Sequence, residues 1–271
     1  PEMSRGLGDV YKRQLLKYDL GTDMKRISLI VPCLNEEEAI PAFKQEIDRV
    51  FKECLEGYAP ELIFVDDGST DRSLEMIKKM AEHSPEVKFI SFSRNFGKEA
   101  AIYAGLEAAT GDYAAVMDVD LQDPPSLLPD MLKAIEKEGY DCAGTRRVTR
   151  QGEPLLRSFF ARAFYKTIHQ ISDTRIVDGA RDYKLMTRPV LEALLSLKEY
   201  NRFSKGLYEW VGFRTKWFEY ENVERVAGET KWSFFKLFLY SIEGIVAFST
   251  APLALASIMA VSYTHLTLPT T

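Results

Sequence analysis

The chain has 271 residues, of which 46% are hydrophobic, and it carries a formal net charge of −5 with three cysteines and three histidines. This length fits one large α/β domain with an apolar extension, and the acidic balance argues against general nucleic-acid binding. The cysteines are far apart and lack the paired spacing of a zinc site or a disulfide framework, so we expect a reducing, cytosolic environment.

Both termini differ in character from the rest of the chain. Residues 1–23 show no periodicity and are interpreted as a non-native or disordered leader, because Met24 precedes the first clean apolar run. Gly6–Gln14 and residues 262–271 have the character of translated adapter sequence, and a disordered native tail is the alternative.

Four short apolar runs, rich in β-branched and aromatic residues, predict buried parallel strands at Ile27–Val31, Leu62–Val65, Val87–Phe92 and Tyr113–Met117. Helical spacing of apolar residues follows each run, over Glu36–Leu55, Asp71–Glu82, Lys98–Ala109 and Ser126–Glu138. Ser69 or Thr70 is a candidate N-cap for the second helix. The alternation predicts an α/β fold with a doubly wound, mostly parallel sheet flanked by helices, which binds ligands where the strand-end loops gather.

The pattern changes after Gly144. Leu155–Ile171 has the spacing of an amphipathic helix that either lies in a membrane interface or packs on the sheet, and a second amphipathic helix is predicted within residues 231–244. Residues 245–261 are uncharged and apolar, at the lower limit of a bilayer span. We interpret them as a truncated transmembrane segment, with a buried core helix as the alternative.

Positive charge is concentrated just before this apolar stretch. Residues 146–236 contain 18 Lys and Arg against 11 Asp and Glu, a net charge of +7, which leaves −12 for the rest of the chain. Such a distribution suits an anionic membrane surface or an anionic lipid, although solvated helix faces would give the same imbalance.

A group of three acids and an amide directly follows the fourth predicted strand. Asp118, Asp120 and Asp123 stand with Gln122 within six residues. Crowded carboxylates repel one another, so the arrangement is best explained by a divalent cation among them. The loop therefore predicts metal-assisted chemistry on a phosphate-bearing substrate.

The loops after the other three predicted strands are also polar: Pro32–Glu36, Asp66–Asp71 and Ser93–Lys98. A single loop of this kind is weak support for a site, since Asp-Asp-Gly-Ser also makes a good turn. All four loops in this order indicate a functional edge of the sheet.

These motifs resemble those of the inverting GT-A glycosyltransferases that act on polyprenyl phosphates, the dolichol-phosphate mannose synthase and bactoprenol glucosyltransferase family. The resemblance is carried by Val31–Glu37, Val65–Asp71, Asp118–Pro125 and Gly228–Trp232, and it extends from Ile27 to about Leu253. It implies that residues 24–230 form a GT-A catalytic domain.

The resemblance also implies roles for individual residues. The donor-binding residues would be Pro32, Asn35, Glu36, Asp66, Asp67, Lys98 and Asp118, the metal ligands Asp118, Asp120 and Gln122, and the catalytic residues Asp120 and Asp182. Carboxylate and amide oxygens suit ribose hydroxyls and ring N–H groups, and they also suit Mg²⁺ or Mn²⁺ bound against a diphosphate.

Asp182 resembles the carboxylate proposed as general base in this family. Arg181 stands directly before it, where the family usually has a small residue, and this departure affects the expected local geometry. A lipid phosphate is largely ionised near neutral pH, so we expect orientation and electrostatics to matter more than proton removal. The alternative is that Asp182 only pairs with Arg181 or Arg188.

Acceptor binding needs cations near the membrane. The candidates are Arg146, Arg147 and Arg150 in a loop with Gly152 that would close over the substrates, Lys205, and the group Arg225, Thr230 and Lys231. Each of these side chains is alternatively a solvated surface group.

The sequence thus predicts a membrane-anchored enzyme that transfers one sugar, with inversion, from a nucleotide sugar to a polyprenyl phosphate such as undecaprenyl phosphate. Resemblance to the bacterial branch of the family favours a UDP-sugar over a GDP-sugar. The expected location is the bacterial inner membrane with the catalytic domain facing the cytoplasm, and a homo-oligomer is left open. A nucleotidyltransferase, a catalytically silent nucleotide-binding membrane protein and a processive polysaccharide synthase are the alternatives. The first lacks its Gly-rich basic loop here, the second is disfavoured by the intact acids, and the third lacks its Gln-x-x-Arg-Trp motif.

Overall fold

The structure is a computed structural model that describes residues 24–147, 177, 179–199, 202–220, 246 and 251–267. These residues divide into two compact units. The first unit contains 24–147, 179–198 and 211–220, and the second contains 202–210 and 251–267.

The first unit is built on a seven-stranded mixed sheet. Its strands are β1 (Lys25–Cys33), β2 (Tyr58–Asp66), β3 (Val87–Ser91), β4 (Tyr113–Val116), β5 (Cys142–Arg147), β6 (Ala180–Thr187) and β7 (Thr215–Tyr220). Their order is β3-β2-β1-β4-β6-β5-β7. Strands β1 to β4 are parallel, β6 is antiparallel to β4 and β5, and β7 is parallel to β5.

Helices connect and flank these strands. The first unit contains α1 (Ala39–Cys54), α2 (Ser73–His83), α3 (Lys98–Ala108), α4 (Leu128–Glu138) and α5 (Arg188–Ser196). The second unit contains α6 (Ser204–Trp210) and α7 (Ala251–Thr267). A short 3-10 turn, Pro125–Leu127, leads into α4.

The two faces of the sheet are covered by different helices because strand side chains alternate in direction. Leu29 of β1 belongs to the core cluster that also contains Phe43 of α1, and Phe43 meets Phe64 edge to face with ring centroids 6.2 Å apart. On the opposite face, Ile30 lies against Gly105 of α3, where a Cβ would come within 2.3 Å of the Ile30 Cγ2 atom. This close contact brings the N-terminus of α3 to the carboxyl edge of the sheet.

The four predicted strands and four predicted helices are present with shifted ends. The predicted N-cap of the second helix is wrong, because α2 begins at Ser73 and the side chain of Asp71 accepts a hydrogen bond from the Ser73 N–H at 2.9 Å. The sequence reading did not predict β5, β6 or β7. Polar residues such as Asp182 and Lys184 interrupt the apolar pattern of β6, although Lys184 is only 2% exposed.

The described C-terminal helix, α7, continues to Thr267, past the boundary predicted at Val261. Among the helices that the structure describes, none combines the length and the apolar character needed to cross a membrane. The amphipathic helices predicted at Leu155–Ile171 and within residues 231–244 lie outside the described residues.

Candidate active site

The predicted donor and metal residues lie at one edge of the sheet. Strands β1 to β4 are parallel, so the loops that follow them meet at their common carboxyl end. Pro32 lies in β1 near this edge and pairs with Val65 of β2. Two non-glycine residues among those described, Asn35 and Leu121, have positive φ angles of 53° and 56°, and both lie in these loops. Strained backbone of this kind is common at functional sites.

Asn35 links the loop after β1 to the loop after β2. Its backbone N–H donates to Ser69 Oγ at 2.9 Å, and its Oδ1 accepts a hydrogen bond from the Thr70 N–H at 2.8 Å. The next residue, Glu36, donates its N–H to Ser73 Oγ at 2.8 Å. These contacts hold the two loops together and fix the exposed Asn35 at the carboxyl edge of the sheet.

The two acids that end β2 are turned into the protein. Asp66, which is 1% exposed, accepts hydrogen bonds from the Ser69 N–H and from Ser91 Oγ, both at 3.3 Å. Asp67 accepts hydrogen bonds from the backbone N–H groups of Phe96 at 2.7 Å and Gly97 at 3.0 Å. Burial raises the pKa of Asp67 in spite of these hydrogen bonds. Both acids therefore tie the loop after β2 to β3 and the loop that follows it.

Gly68 permits this contact between loops. Its φ angle is +74°, and a Cβ at this position would lie 2.6 Å from the backbone carbon of Arg94. Both the left-handed conformation and the lack of space require glycine. Next to this contact, the Arg94 guanidinium lies 4.0 Å from the centroid of the Phe96 ring, and both side chains are exposed.

The centre of the edge is an ion cluster of three residues. Lys98, the first residue of α3, places its Nζ 2.7 Å and 2.9 Å from the two carboxylate oxygens of Asp118, and the same Nζ contacts Asp182 Oδ2. Burial alone would lower the pKa of Lys98, but the two carboxylates outweigh it and raise the pKa above its usual value. Lys98 therefore lies with Asp118 and Asp182.

The antiparallel strand β6 explains how Asp182 reaches Asp118. Val116 of β4 pairs with Lys184 of β6, and continuing this register by two residues sets Asp118 opposite Asp182. Because β6 runs against β4, the start of β6 lies where β4 ends. A residue 84 positions after Lys98 thus joins the same cluster.

The remaining predicted metal ligands follow in the turn after β4. Asp120 is 7% exposed. Its Oδ1 atom accepts a hydrogen bond from the Gln122 N–H at 3.1 Å. Within the described residues, no three His, Cys, Asp or Glu side chains are gathered closely enough to hold a metal ion. A cation in this loop would have to take its other ligands from Gln122 or from a bound substrate.

Arg181, Asp123 and Tyr220 form a bracket that the sequence reading missed. Arg181 Nε donates to Asp123 Oδ1 at 3.0 Å, its Nη2 lies 3.4 Å from Gln122 Oε1, and the Tyr220 hydroxyl donates to the same Asp123 oxygen. Burial raises the pKa of Asp123 against the opposing effect of Arg181. The one available signal was Arg181 itself, at a position where a small residue was expected.

The contacts of Arg181 and Arg188 bear on the alternative that Asp182 only pairs with one of these two arginines. Arg181 pairs with Asp123, and Arg188 donates to the carbonyl of Ala109 at 2.9 Å and lies 3.7 Å from Glu192. Within the part of the chain that the structure describes, Lys98 forms an ion pair with Asp182.

Three of the predicted acceptor residues, Arg146, Arg147 and Lys205, lie within the described part of the chain. The prediction that Arg146 and Arg147 lie in a closing loop is wrong, because both belong to β5 and pair with β7. Arg146 forms an ion pair with Glu219 of that strand. Lys205 lies on α6 in the second unit. Arg150, Arg225, Thr230 and Lys231 lie outside the described residues.

Residues 28–195 match the profile of Glycosyl transferase family 2. The chain belongs to this family. It is 42% identical over 228 residues to a prophage bactoprenol glucosyl transferase homolog of Escherichia coli K12, in a match that covers 84% of this chain and 74% of that protein. It is 44% identical over 229 residues to the glycosyltransferase CsbB of Bacillus subtilis 168, covering 84% and 68% of the two chains.

A third relative, the bactoprenol glucosyl transferase of Shigella phage SfV, is 42% identical over 228 residues, with 84% of this chain and 73% of that protein covered. These similarities place the chain among the GT-A glycosyltransferases of the bactoprenol glucosyltransferase family. The activity class is therefore glycosyl transfer, and the nucleotidyltransferase alternative is set aside.

Solved structures support the fold. The mannosyltransferase PcManGT of Pyrobaculum calidifontis, in complex with GDP-Man and Mn²⁺, superposes with a TM-score of 0.50 at 21% identity, covering 76% of this chain and 58% of that one. Glucosyl-3-phosphoglycerate synthase of Mycobacterium tuberculosis, in complex with Mn²⁺ and UDP-glucose, gives 0.50 at 19% identity, covering 80% and 75%. At these identities the likeness concerns the GT-A-like sheet and its flanking helices.

Proposed function

We propose that this protein transfers one sugar from a nucleotide sugar to a polyprenyl phosphate, with inversion at the anomeric carbon, at a membrane surface. The observation that carries the proposal is the meeting of Asp118 and Asp182 at one ammonium group, at the carboxyl edge of the parallel strands. An acid from the predicted metal loop and the predicted general base thus share one site.

The oxygen donors of the loop after β4 fit a hard divalent cation. Asp118, Asp120 and Gln122 would hold Mg²⁺ or Mn²⁺, which take carboxylate and amide oxygens and leave further positions for phosphate oxygens. When bound, the ion would stabilise the charge that builds up on the departing diphosphate. Asn35, Glu36, Asp66 and Asp67 would shape the pocket for the base and ribose.

The reaction is a single displacement. An oxygen of the acceptor phosphate attacks the anomeric carbon, the bond from that carbon to the diphosphate oxygen breaks, and the nucleoside diphosphate leaves with the electron pair. Where the acceptor phosphate still carries a proton, Asp182 accepts it. Because the phosphate is largely ionised near neutral pH, the larger contribution of Asp182 is to orient the acceptor.

The acceptor and the membrane are supported by sequence relationships. Relatives at 42% identity are named bactoprenol glucosyl transferases, so UDP-glucose with undecaprenyl phosphate is the first pair to test, and a GDP-sugar the second. The net charge of +7 over residues 146–236 suits a lipid phosphate at an anionic bilayer. We infer that Lys205, Arg225, Thr230 and Lys231 contact this phosphate, at the cytoplasmic face of a bacterial inner membrane.

The test is product formation by membranes that contain the full chain. They are incubated with undecaprenyl phosphate, Mg²⁺ or Mn²⁺ and a panel of UDP- and GDP-sugars, and the lipid is analysed by mass spectrometry. We expect a product of one hexose on the lipid phosphate. EDTA should abolish it, and excess divalent cation should restore it.

Two variants make the test specific. Asp120→Asn removes a carboxylate from the predicted metal loop and should abolish the product. Asp130→Asn makes the same chemical change at an exposed position in the first turn of α4 and should leave product formation intact. Full activity of Asp120→Asn, or full activity in EDTA, would contradict the proposed site.

A further inference from the structure

Lys98 occupies both carboxylate oxygens of a predicted metal ligand. Its Nζ lies 2.7 Å from Asp118 Oδ1 and 2.9 Å from Asp118 Oδ2, while also contacting Asp182. The three side chains are 34%, 24% and 19% exposed, so water reaches the cluster only in part. A single ammonium group therefore lies between two acids to which different roles are assigned.

A divalent cation and this ammonium group require the same oxygens. Hard cations bind carboxylate oxygens directly, and Lys98 already donates a hydrogen bond to Asp118 Oδ2 and forms an ion pair with Asp118 Oδ1. A doubly charged ion beside Asp118 would also be repelled by the ammonium group across a distance of a few ångströms. Binding of the ion thus requires Lys98 to withdraw from Asp118 or to share it at an electrostatic cost.

We propose that Lys98 is an internal counter-ion that competes with the divalent cation for Asp118 and that holds Asp182 in place once the cation has bound. The inference rests on the metal site of the proposed function. Before the donor binds, Lys98 neutralises the acids and weakens their affinity for free metal ions. With the nucleotide sugar bound, Asp118, Asp120 and Gln122 would hold the cation together with diphosphate oxygens, and Lys98 would act as a positioning residue for Asp182.

A purely structural role for Lys98 predicts the opposite effect. If the ammonium only fixed Asp118 in an orientation ready for the metal, its removal would disorder the ligand and weaken metal binding. If Lys98 competes, its removal adds one negative charge to the site and strengthens metal binding. The two roles are separated by the sign of the change.

The experiment is a titration of the purified full chain in detergent with Mn²⁺ alone, following free Mn²⁺ by electron paramagnetic resonance. Lys98→Met removes the charge and should lower the Kd for Mn²⁺ about tenfold, the effect expected when one unit charge a few ångströms from a divalent ion is removed in a water-like medium. Lys98→Arg keeps the charge and should bind Mn²⁺ like the wild type.

Lys216→Met is the matched control. The Lys216 side chain is also 34% exposed and forms an ion pair with Glu138 at 2.6 Å, but it lies on β7. Its Mn²⁺ affinity should equal that of the wild type. A change of the same size in this variant would show that net charge alone is responsible and would overturn the assignment to Lys98.

Unchanged or weakened Mn²⁺ binding by folded Lys98→Met would also overturn the proposal. Where the Met variant does not fold, Lys98→Gln is measured instead, with the same expected and contradicting results. A second readout is transfer activity, in which we expect the KM for Mn²⁺ and the kcat of Lys98→Met both to fall. The titration uses neither nucleotide sugar nor lipid, so failure of the transfer assay would leave its result standing.

Discussion

The two ends of the parallel strands carry buried acids whose pKa values are shifted in opposite directions. At the amino end, burial would raise the pKa of Glu61, but hydrogen bonds from Lys88, Ser28 and Thr110 outweigh it and lower the pKa. At the carboxyl end, burial raises the pKa of Asp67 and dominates over its hydrogen bonds. The comparison teaches that hydrogen bonds more than compensate for the burial of Glu61, so that its ionised form stabilises the fold, whereas the hydrogen bonds of Asp67 do not compensate for its burial.

Contacts of Glu61 show what full satisfaction means. Glu61 is only 2% exposed. Its carboxylate accepts hydrogen bonds from Lys88 Nζ at 2.5 Å, from the Thr110 N–H at 2.9 Å, from Thr110 Oγ1 at 2.6 Å and from the Ser28 hydroxyl. Strands β1, β2 and β3 and the turn before β4 therefore meet at one carboxylate.

The largest effect is expected from breaking this satisfied end. Glu61→Ala leaves Lys88 without its buried partner and should lower the free energy of unfolding by about 3 to 5 kcal/mol. Urea unfolding followed by tryptophan fluorescence measures the change. Sugar transfer per folded molecule should be preserved, and a lost transfer rate in the folded variant would break the proposed division between the two ends.

The next effect concerns the active end. Asp182→Asn removes a charge from the cluster and should lower the rate of sugar transfer about tenfold to a hundredfold, the range of an orienting group with minor proton transfer. Thermal unfolding should shift little, since Lys98 keeps Asp118 as a partner. Asp130→Asn, the exposed control, should match the wild type in both assays. Severe destabilisation by Asp182→Asn would mark Asp182 as a structural acid like Glu61.

A backbone change sharpens the comparison at the rim of the site. Gly68→Ala places a Cβ 2.6 Å from the Arg94 backbone at a φ of +74°, so it should cost about 1 to 3 kcal/mol and weaken UDP binding about tenfold. Gly139→Ala is the control, because Gly139 has a φ of +72° with nothing within 4 Å of the added Cβ. Calorimetric titration with UDP should show weaker binding by Gly68→Ala than by Gly139→Ala. Equal UDP affinities of the two variants would show that the contact between Gly68 and Arg94 does not support donor binding.

The smallest expected effect is a pH dependence of the folding stability, which arises from Glu136 at the amino end of the parallel strands. Burial opposes ionisation of Glu136, but hydrogen bonds from Lys25, Tyr58 and Tyr113 outweigh it and lower its pKa from 4.5 to about 2. An acid with a lowered folded-state pKa stabilises the fold above its unfolded pKa and loses this contribution as the pH falls towards 2. Glu136→Gln should therefore cost about 1 kcal/mol at pH 7 and less at pH 3. A cost independent of pH would contradict this reading.

The parts of the fold that could be predicted are those with strong local patterns. Strands β1 to β4 and helices α1 to α4 have apolar runs or helical spacing that burial alone imposes. Strand β2 begins at Tyr58, ahead of the predicted Leu62, because pairing with β1 overrides the poor strand propensity of Pro60 and Glu61. Local propensity could not reveal β6, because Arg181, Asp182 and Lys184 interrupt its apolar pattern.

The candidate site divides in the same way. The loop of Asp118, Asp120 and Gln122 stands out in the sequence because acids crowded at a strand end require a reason. Lys98 was recognised as a site residue, but its partners were not, since they come from other parts of the chain. The bracket of Arg181, Asp123 and Tyr220 likewise joins three elements that no local pattern connects.

The sequence by itself determined the α/β class, the four polar loops at one edge of the sheet, and the resemblance to lipid-directed glycosyltransferases, because these follow from patterns a few residues long. Only the tertiary structure decided which charges meet. The antiparallel insertion of β6 sets Asp182 opposite Asp118, and α3, packed closely on β1 at Gly105, delivers Lys98 between them. Long-range strand pairing and helix packing position these groups, and neither depends on sequence neighbours alone.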